Sequence, residues 1–291
     1  MNPVIEQMVK GVGGLVTLPD VFIRINQLVE DPDSTVEDIA KAINADPSFT
    51  ARLLRVANST FYSFPATVDT AARAATIIGT SQIRNLALST SISRSFEKLP
   101  NTLVSMRNFW MHSLYCGLAA RKLARMAGKC DVDAVFTAGL LHDIGELVIF
   151  NRIPEEARLA LLLVQDSADE LTIPEAEQEV MGFNHAEVGA ELARHWKLPL
   201  MLQECIAYHH DVTKARHFPR ENALVHIANI LSLMAEVNTY NPDEVAQVDP
   251  LAWEITGLLA DEVRQQVIEE ARVEFIEAEQ MFFGTGGQLN G

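Results

Sequence analysis

Apolar residues recur at three- and four-residue spacing along nearly the whole chain, and no long alternating runs bounded by hairpin turns interrupt them. That pattern confines the fold to helices packed on helices, because a half-buried strand needs a period of two. With 291 residues, 48% of them hydrophobic, the chain can build one large or two ordinary domains around a sizeable core. The expected fold class is all-α.

Individual helices can be read from their signals. In "STVEDIAKAI", Ser34 stands as the N-cap with Glu37 completing a capping box, and Val36, Ile39, Ala40 and Ile43 form the buried stripe. "PSFTARLLRVANS" follows, with Phe49, Leu53 and Val56 facing inward. "FPATVDTAARAATIIG" and "TSQIRNLALSTSIS" give two more; Gly79 closes the first, and Thr80 or Ser81 opens the second. The polar, proline-containing "EKLPNTLVS" at 97–105 is the best internal boundary. Beyond it the pattern predicts helices at about 103–127, 133–150, 154–168, 185–196, 199–210 and 221–236, and an amphipathic helix at 260–281. The expected organisation is an amino-terminal helical lobe at 1–100, a second at 101–240, a helical extension at 241–283 and a disordered tail, "GTGGQLNG", at 284–291.

Composition narrows the function classes. No stretch reaches the roughly 18 uncharged apolar residues of a membrane span, and Glu6 and Lys10 interrupt what would be the apolar part of a signal peptide. Cys116, Cys130 and Cys205 are odd in number and far apart, which fits buried thiols in a reducing compartment. The expectation is a soluble cytoplasmic protein with no membrane contact. A net charge of −16, from 23 basic and 39 acidic residues, argues against a nucleic-acid surface. "TVEDIAKAINADPSFTARLLRVANS" has the outline of a helix-turn-helix, with Arg52, Arg55 and Asn58 on its second helix. Residues 30–60 hold six acids against three bases, however, and repel phosphates, so a packed helical hairpin is the better reading.

The informative feature is "AGLLHDIGELVIF", residues 138–150, a His–Asp pair inside an almost wholly apolar run. A buried carboxylate needs a partner, because leaving it unpaired costs several kcal/mol, on the order of the penalty for any uncompensated buried ion. On helical spacing Asp143 lines up with Phe136, Leu140, Leu147 and Phe150. His112 lines up with Phe109, Cys116, Ala119 and Leu123, His185 with Val188, Leu192 and Trp196, and His209 with Leu202, Cys205 and Ile206. Each inward histidine taken alone is a hydrogen-bonded core histidine. Four helices each supplying a His or Asp from an apolar face point to a common site, and imidazole with carboxylate is the donor set of Fe, Mn, Zn or Ni. His195 follows Glu187 and Glu191 on a polar face, where a solvated ion pair explains it; His217 and His226 carry no facing signal.

"HDIG" on a helix, with a helical histidine upstream and His185 and a His-His pair downstream, resembles the HD superfamily of metal-dependent phosphohydrolases. One branch is closer. "LPDVFIRINQLVEDPDSTVEDIAKAINADPSFTARLLRVANSTFYSFPATVDTAARAATIIG", "FWMHSLYCGLAARKLA", "AGLLHDIGELVI" and "NHAEVGAELARHWKLP" are similar, in order, to the HDOD domains of bacterial signalling proteins. The likeness covers about residues 10 to 240. It implies an amino-terminal helical bundle packed against an HD-like bundle. It also implies that His112, His142, Asp143, His185, His209 and His210 correspond to metal ligands of active relatives, the HD-GYP phosphodiesterases above all. There Asp143 would bridge two ions, and metal-activated water would cleave a phosphodiester.

Three departures set this chain apart from those enzymes. The last aspartate ligand corresponds to Asn229, whose neutral amide binds a metal more weakly. The basic residue after "HDIG" is Glu146, which repels a phosphate. The Gly-Tyr-Pro loop after "YHHD" is replaced by "VTKARHFPREN". The expectation is therefore a regulatory HDOD module with one or two divalent transition metals in a degenerate pocket. It would act through a signalling protein partner, to which apolar residues of "STFYSFPATV" could contribute, or through a nucleotide ligand. The alternative is a metal-dependent phosphohydrolase acting on a nucleotide or cyclic dinucleotide.

Overall fold

The computed structural model describes residues 2–13, 18, 20–58, 67–96, 103–167, 171–236 and 247–283, and every regular element among them is helical. In chain order these are α1 (Pro3–Gly13), α2 (Asp20–Glu30), α3 (Val36–Asn44), α4 (Pro47–Ala57), α5 (Ala71–Ile78), α6 (Thr80–Phe96), α7 (Met106–Ala127) and α8 (Val132–Leu141). Then follow α9 (Ile144–Arg152), α10 (Pro154–Asp166), α11 (Ile173–Met181), α12 (His185–His195), α13 (Leu200–Tyr208), α14 (Pro219–Glu236), α15 (Pro250–Thr256) and α16 (Ala260–Phe283). A short 3₁₀ turn occupies Val212–Lys214. No helix among the described residues is long and apolar enough to cross a membrane. The tail 284–291 and the aromatic residues Phe61, Tyr62 and Phe64 lie outside the described residues.

The helices form two compact units. One contains α2 to α6 with α16 from Glu274 onward; the other contains α1, α7 to α15 and α16 as far as Val273. In the first, α3 packs on α2, α4 and α5, and α6 closes against α2, α4 and α5. Its interior is hydrocarbon: Ile25, Ile39, Ile43, Phe49, Leu53 and Ile83 are all but inaccessible. Burying side chains of this size contributes about 1.5–3 kcal/mol each. Asp46 caps α4 through the Phe49 N–H, and Thr70 caps α5 through the Arg73 N–H.

The box at α3 sits one residue later than the sequence reading. Thr35, not Ser34, is the cap, exchanging bonds with Asp38, while the Ser34 hydroxyl turns back to the Leu28 carbonyl. Both pairs satisfy the same spacing rule, and the packing of α3 chooses between them. The hairpin reading of α3–α4 holds in detail. Arg52 bonds Ser48 on its own helix, and the Asn58 amide both donates to the Val68 carbonyl and accepts from the Val68 N–H, each at 2.7 Å.

In the second unit α7 runs against α8 and α14, and α12 lies between α9 and α13. The single helix expected at 133–150 is two helices, α8 and α9, with the break at His142–Asp143. Asp143 leaves helical geometry at φ −94°, ψ 11°. The apolar pattern runs unbroken across the joint because both helices are buried there, so periodicity could not reveal the bend. The reading also passes over α11 and α15, both of which open with a proline in their first turn.

Candidate metal centre

Glycines bring the ligand-bearing helices within reach of one another. A β-carbon on Gly145 would stand 1.9 Å from the His185 carbonyl oxygen and 2.6 Å from the Gly189 nitrogen, so α9 and α12 cross backbone on backbone. On the other side Gly117 of α7 lies against the Phe136 carbonyl, and Gly139 of α8 against the Cys116 carbonyl, each leaving only 3.0 Å for a β-carbon. These two crossings carry His112 from α7, His185 from the first residue of α12 and the pair at the α8–α9 bend into one pocket. The turn after α13 adds His209 and His210.

Asp143 is the centre. Its Oδ2 lies 2.9 Å from His142 Nε2 and 3.4 Å from His112 Nε2, and its Oδ1 lies 3.3 Å from His209 Nε2 and 3.4 Å from His185 Nε2. His210 Nε2 is 2.8 Å from His185 Nε2. The carboxylate therefore faces two groups: His112 with His142 on one oxygen, and His185, His209 and His210 on the other.

The opposite edge of each ring fixes its orientation. His142 Nδ1 donates to the Gly139 carbonyl at 2.7 Å, and His209 Nδ1 to the Ile206 carbonyl at 2.9 Å. His185 Nδ1 donates to Glu177 at 2.7 Å, and His112 Nδ1 to Glu236 at 2.7 Å. Since carbonyls and carboxylates accept, the proton of each neutral ring sits on Nδ1 and the Nε2 lone pair faces the pocket. Two Nε2 atoms meet at 3.4 Å between His112 and His142, and two more at 3.4 Å between His185 and His209. Asp143 Oδ1 has no hydrogen-bond donor.

The cluster favours positive charge. Burial opposes ionisation of Asp143, but the surrounding imidazoles, His142 first, hold its carboxyl well below the usual range. Burial likewise opposes a charge on His112, yet the Asp143 and Glu236 carboxylates outweigh it and raise this ring to about 10. His142 and His185 are raised well above the ordinary value by Asp143 and Glu177 despite burial. His209, by contrast, is lowered by burial to about 4, and His210 is lowered by burial and by its neighbouring rings. A divalent cation would supply that charge without crowding protons between facing nitrogens. The ligand atoms of each group lie within 4.8 Å of one another, so the donor set fits such an ion.

Asn229, the remaining expected ligand, is buried on α14. It sits one turn after His226 and two turns before Glu236, so all three share a face of that helix. His226 stayed outside the sequence reading, but its Nδ1 donates to the His209 carbonyl and its Nε2 accepts the Asp249 N–H at 3.0 Å. Glu177, also unforeseen, accepts both the backbone and ring N–H of His185 on one oxygen. Glu146 forms a third cluster with Glu177 and His185; burial and the Asp143 charge push its carboxyl up to about 8. His195 is exposed, and Glu191 pairs with Arg194 at 2.7 Å rather than with it. His217 binds Glu204 through its ring and its backbone N–H.

The HDOD domain family matches residues 15–212, which is more than half of the sequence. The chain belongs to the HDOD domain family. Its match takes in every histidine of the pocket and Asp143, and ends before Asn229 and Glu236. An uncharacterized protein of Treponema pallidum (strain Nichols) is 28% identical over 206 residues, 70% of this chain but 38% of that protein, so the chain spans well under half of that relative. Three solved structures share the fold. An HDOD domain protein of unknown function from Geobacter sulfurreducens superposes with a TM-score of 0.73 at 24% identity, covering 96% of this chain and 98% of that one. A candidate phosphohydrolase from Shewanella amazonensis SB2B gives 0.68 at 24%, covering 95% and 96%. A candidate signal-transduction protein from Marinobacter aquaeolei VT8 gives 0.72 at 20%, covering 94% of this chain and 61% of that one.

Proposed function

We propose that this HDOD protein is a bacterial regulatory module whose HD-type pocket holds one or two divalent transition metals, and that it acts by binding a partner protein or a nucleotide. The observation that carries the reading is the orientation of four imidazoles around Asp143. Their Nδ1 edges are committed outward and their Nε2 atoms converge on the Asp143 carboxylate, at 2.9 to 3.4 Å. His112, His142 and Asp143 would hold one ion, and Asp143, His185, His209 and His210 the other; Fe, Mn, Zn and Ni all suit these donors. When bound, such an ion supplies Lewis acidity and lowers the pKa of its water toward about 7.

The regulatory reading is favoured over hydrolysis by Glu146. It stands where an active HD enzyme carries a basic residue, and this half-buried acid, its carboxyl pushed up to about 8, offers no positive charge to hold a phosphate. Asn229 in place of an acid weakens the ligand set further. Fold alone does not decide, because the structural relatives include both a candidate phosphohydrolase and a candidate signal-transduction protein.

Elemental analysis of protein purified without an affinity histidine tag or chelator tests the reading, alongside the His142→Ala, Asp143→Ala double variant. One or more metal equivalents, lost in the variant, is the expected result. Wild type that is metal-free and stays so after incubation with each of the four ions would overturn it. One observation supports hydrolysis as a second reading: Asp143 turns a separate oxygen to each histidine group, as a bridging ligand does. Phosphodiester turnover by the loaded protein, abolished by Asp143→Asn, would move the assignment there.

A further inference from the structure

The two histidine groups are built unequally. The group on Asp143 Oδ1 has three imidazoles, and its anchor carboxylate, Glu177, is buried at 3% exposure. A single oxygen of Glu177 takes the His185 ring N–H at 2.7 Å and the His185 backbone N–H at 2.8 Å, so it fixes the ring and the start of α12 together. His209 and His210 sit on the turn that ends α13, which packs against α12, and His226 ties down the His209 carbonyl. The group on Oδ2 has only two imidazoles. Its anchor, Glu236, is the last residue of α14 and its side chain is 47% exposed, so it holds His112 from a fraying helix end in contact with water.

We propose that the pocket takes its two ions in sequence, with Glu177 as the positioning residue that makes the His185/His209/His210 site fill first. This rests on the reading of the pocket as a metal centre. Affinity rises with ligand count and with the order imposed on each ligand before the ion arrives, and outer carboxylates that orient a ligating histidine contribute roughly 10- to 100-fold in affinity. The three-imidazole site has more ligands and the drier, doubly bonded anchor. The two-imidazole site has fewer ligands and an anchor that competes with solvent, so its ion exchanges with free metal while the first stays bound.

The test is titration of the metal-free full chain with Co²⁺, followed by calorimetry and by the visible ligand-field absorption of the bound ion. Wild type should show a tight first equivalent and a weaker second. Glu177→Gln should weaken the first step roughly 10- to 100-fold and shift its absorption band, with circular dichroism unchanged. Glu236→Gln should weaken only the second step; being exposed, this variant also decides the matter if Glu177→Gln does not fold. Two equal steps in wild type, a Glu177→Gln titration identical to wild type, or a first step weakened by Glu236→Gln would each overturn sequential filling and leave the metal centre standing. Wild type that binds no Co²⁺ would instead remove the metal centre itself.

Discussion

The two helical units close their interiors in opposite ways. The α2–α6 unit is filled mainly by hydrocarbon, with Phe49 and Ile25 at its heart and Asn85 the one buried polar side chain among the described residues. The α7–α15 unit buries His142, Asp143, Glu177, His185, His209, His226 and Asn229 in its interior. Among the described residues the first buries no titratable side chain. The second sets that titratable cluster inside an apolar core of its own, with Leu114, Leu118 and Leu123 fully buried. One chain thus joins a unit with an apolar core to a unit whose core also carries ionisable groups.

That contrast can be broken experimentally, and the largest effect should come from the hydrocarbon side. Phe49→Ala removes a fully buried ring, and urea unfolding should report a loss of about 3–5 kcal/mol. The difference from wild type should be the same with and without divalent metal; a difference that shrinks on loading would show that the pocket supports that core. Gly145→Ala drives a β-carbon into the His185 backbone and should cost about 1–3 kcal/mol. Here the metal content measured by elemental analysis should fall as well, because His185 moves; undiminished metal would mean that the close helix crossing is dispensable for the site.

A smaller effect is expected at Glu204, which is buried and accepts the His217 ring N–H and the backbone N–H groups of His217 and Phe218. Burial pushes its carboxyl up, but these donors outweigh it and the net shift is downward. Its contribution is therefore fully present above the unfolded value of about 4.3 and is lost as pH falls through the lower folded value. Glu204→Gln should cost about 1–2 kcal/mol at neutral pH and flatten the acid limb of a stability–pH curve. The smallest change is Thr35→Ala in the α3 capping box, about 1 kcal/mol by thermal unfolding, equal in loaded and metal-free protein.

What the sequence disclosed follows from where burial creates contrast. His112 and His185 were legible because each lines up with apolar residues at three- and four-residue spacing, and His209, on the turn after α13, continues that spacing from Leu202, Cys205 and Ile206. His226 was not, because α14 is buried on nearly every side from Asn222 to Ser232 and offers no face to compare. The bend between α8 and α9 was hidden for the same reason. Glu177 was lost with its whole helix, although Thr172 and Glu175 form a capping box that marks the start of α11. Glu236 gave no signal at all: an acid at the exposed end of a helix is ordinary until a histidine far away in sequence is found against it.

The bend at His142–Asp143 joins mechanics to chemistry. The same backbone torsions that set the direction of α9 relative to α8 also aim the imidazole of one residue and the carboxylate of the next. α1, α10 and α12 all pack against α9, so a push from any of them bears on the bend that aims both side chains. In the proposed metal centre the joint would be the wrist of a clamp whose jaws are His142 and Asp143. An ion gripped there would stiffen the joint, and bending the joint would loosen the grip.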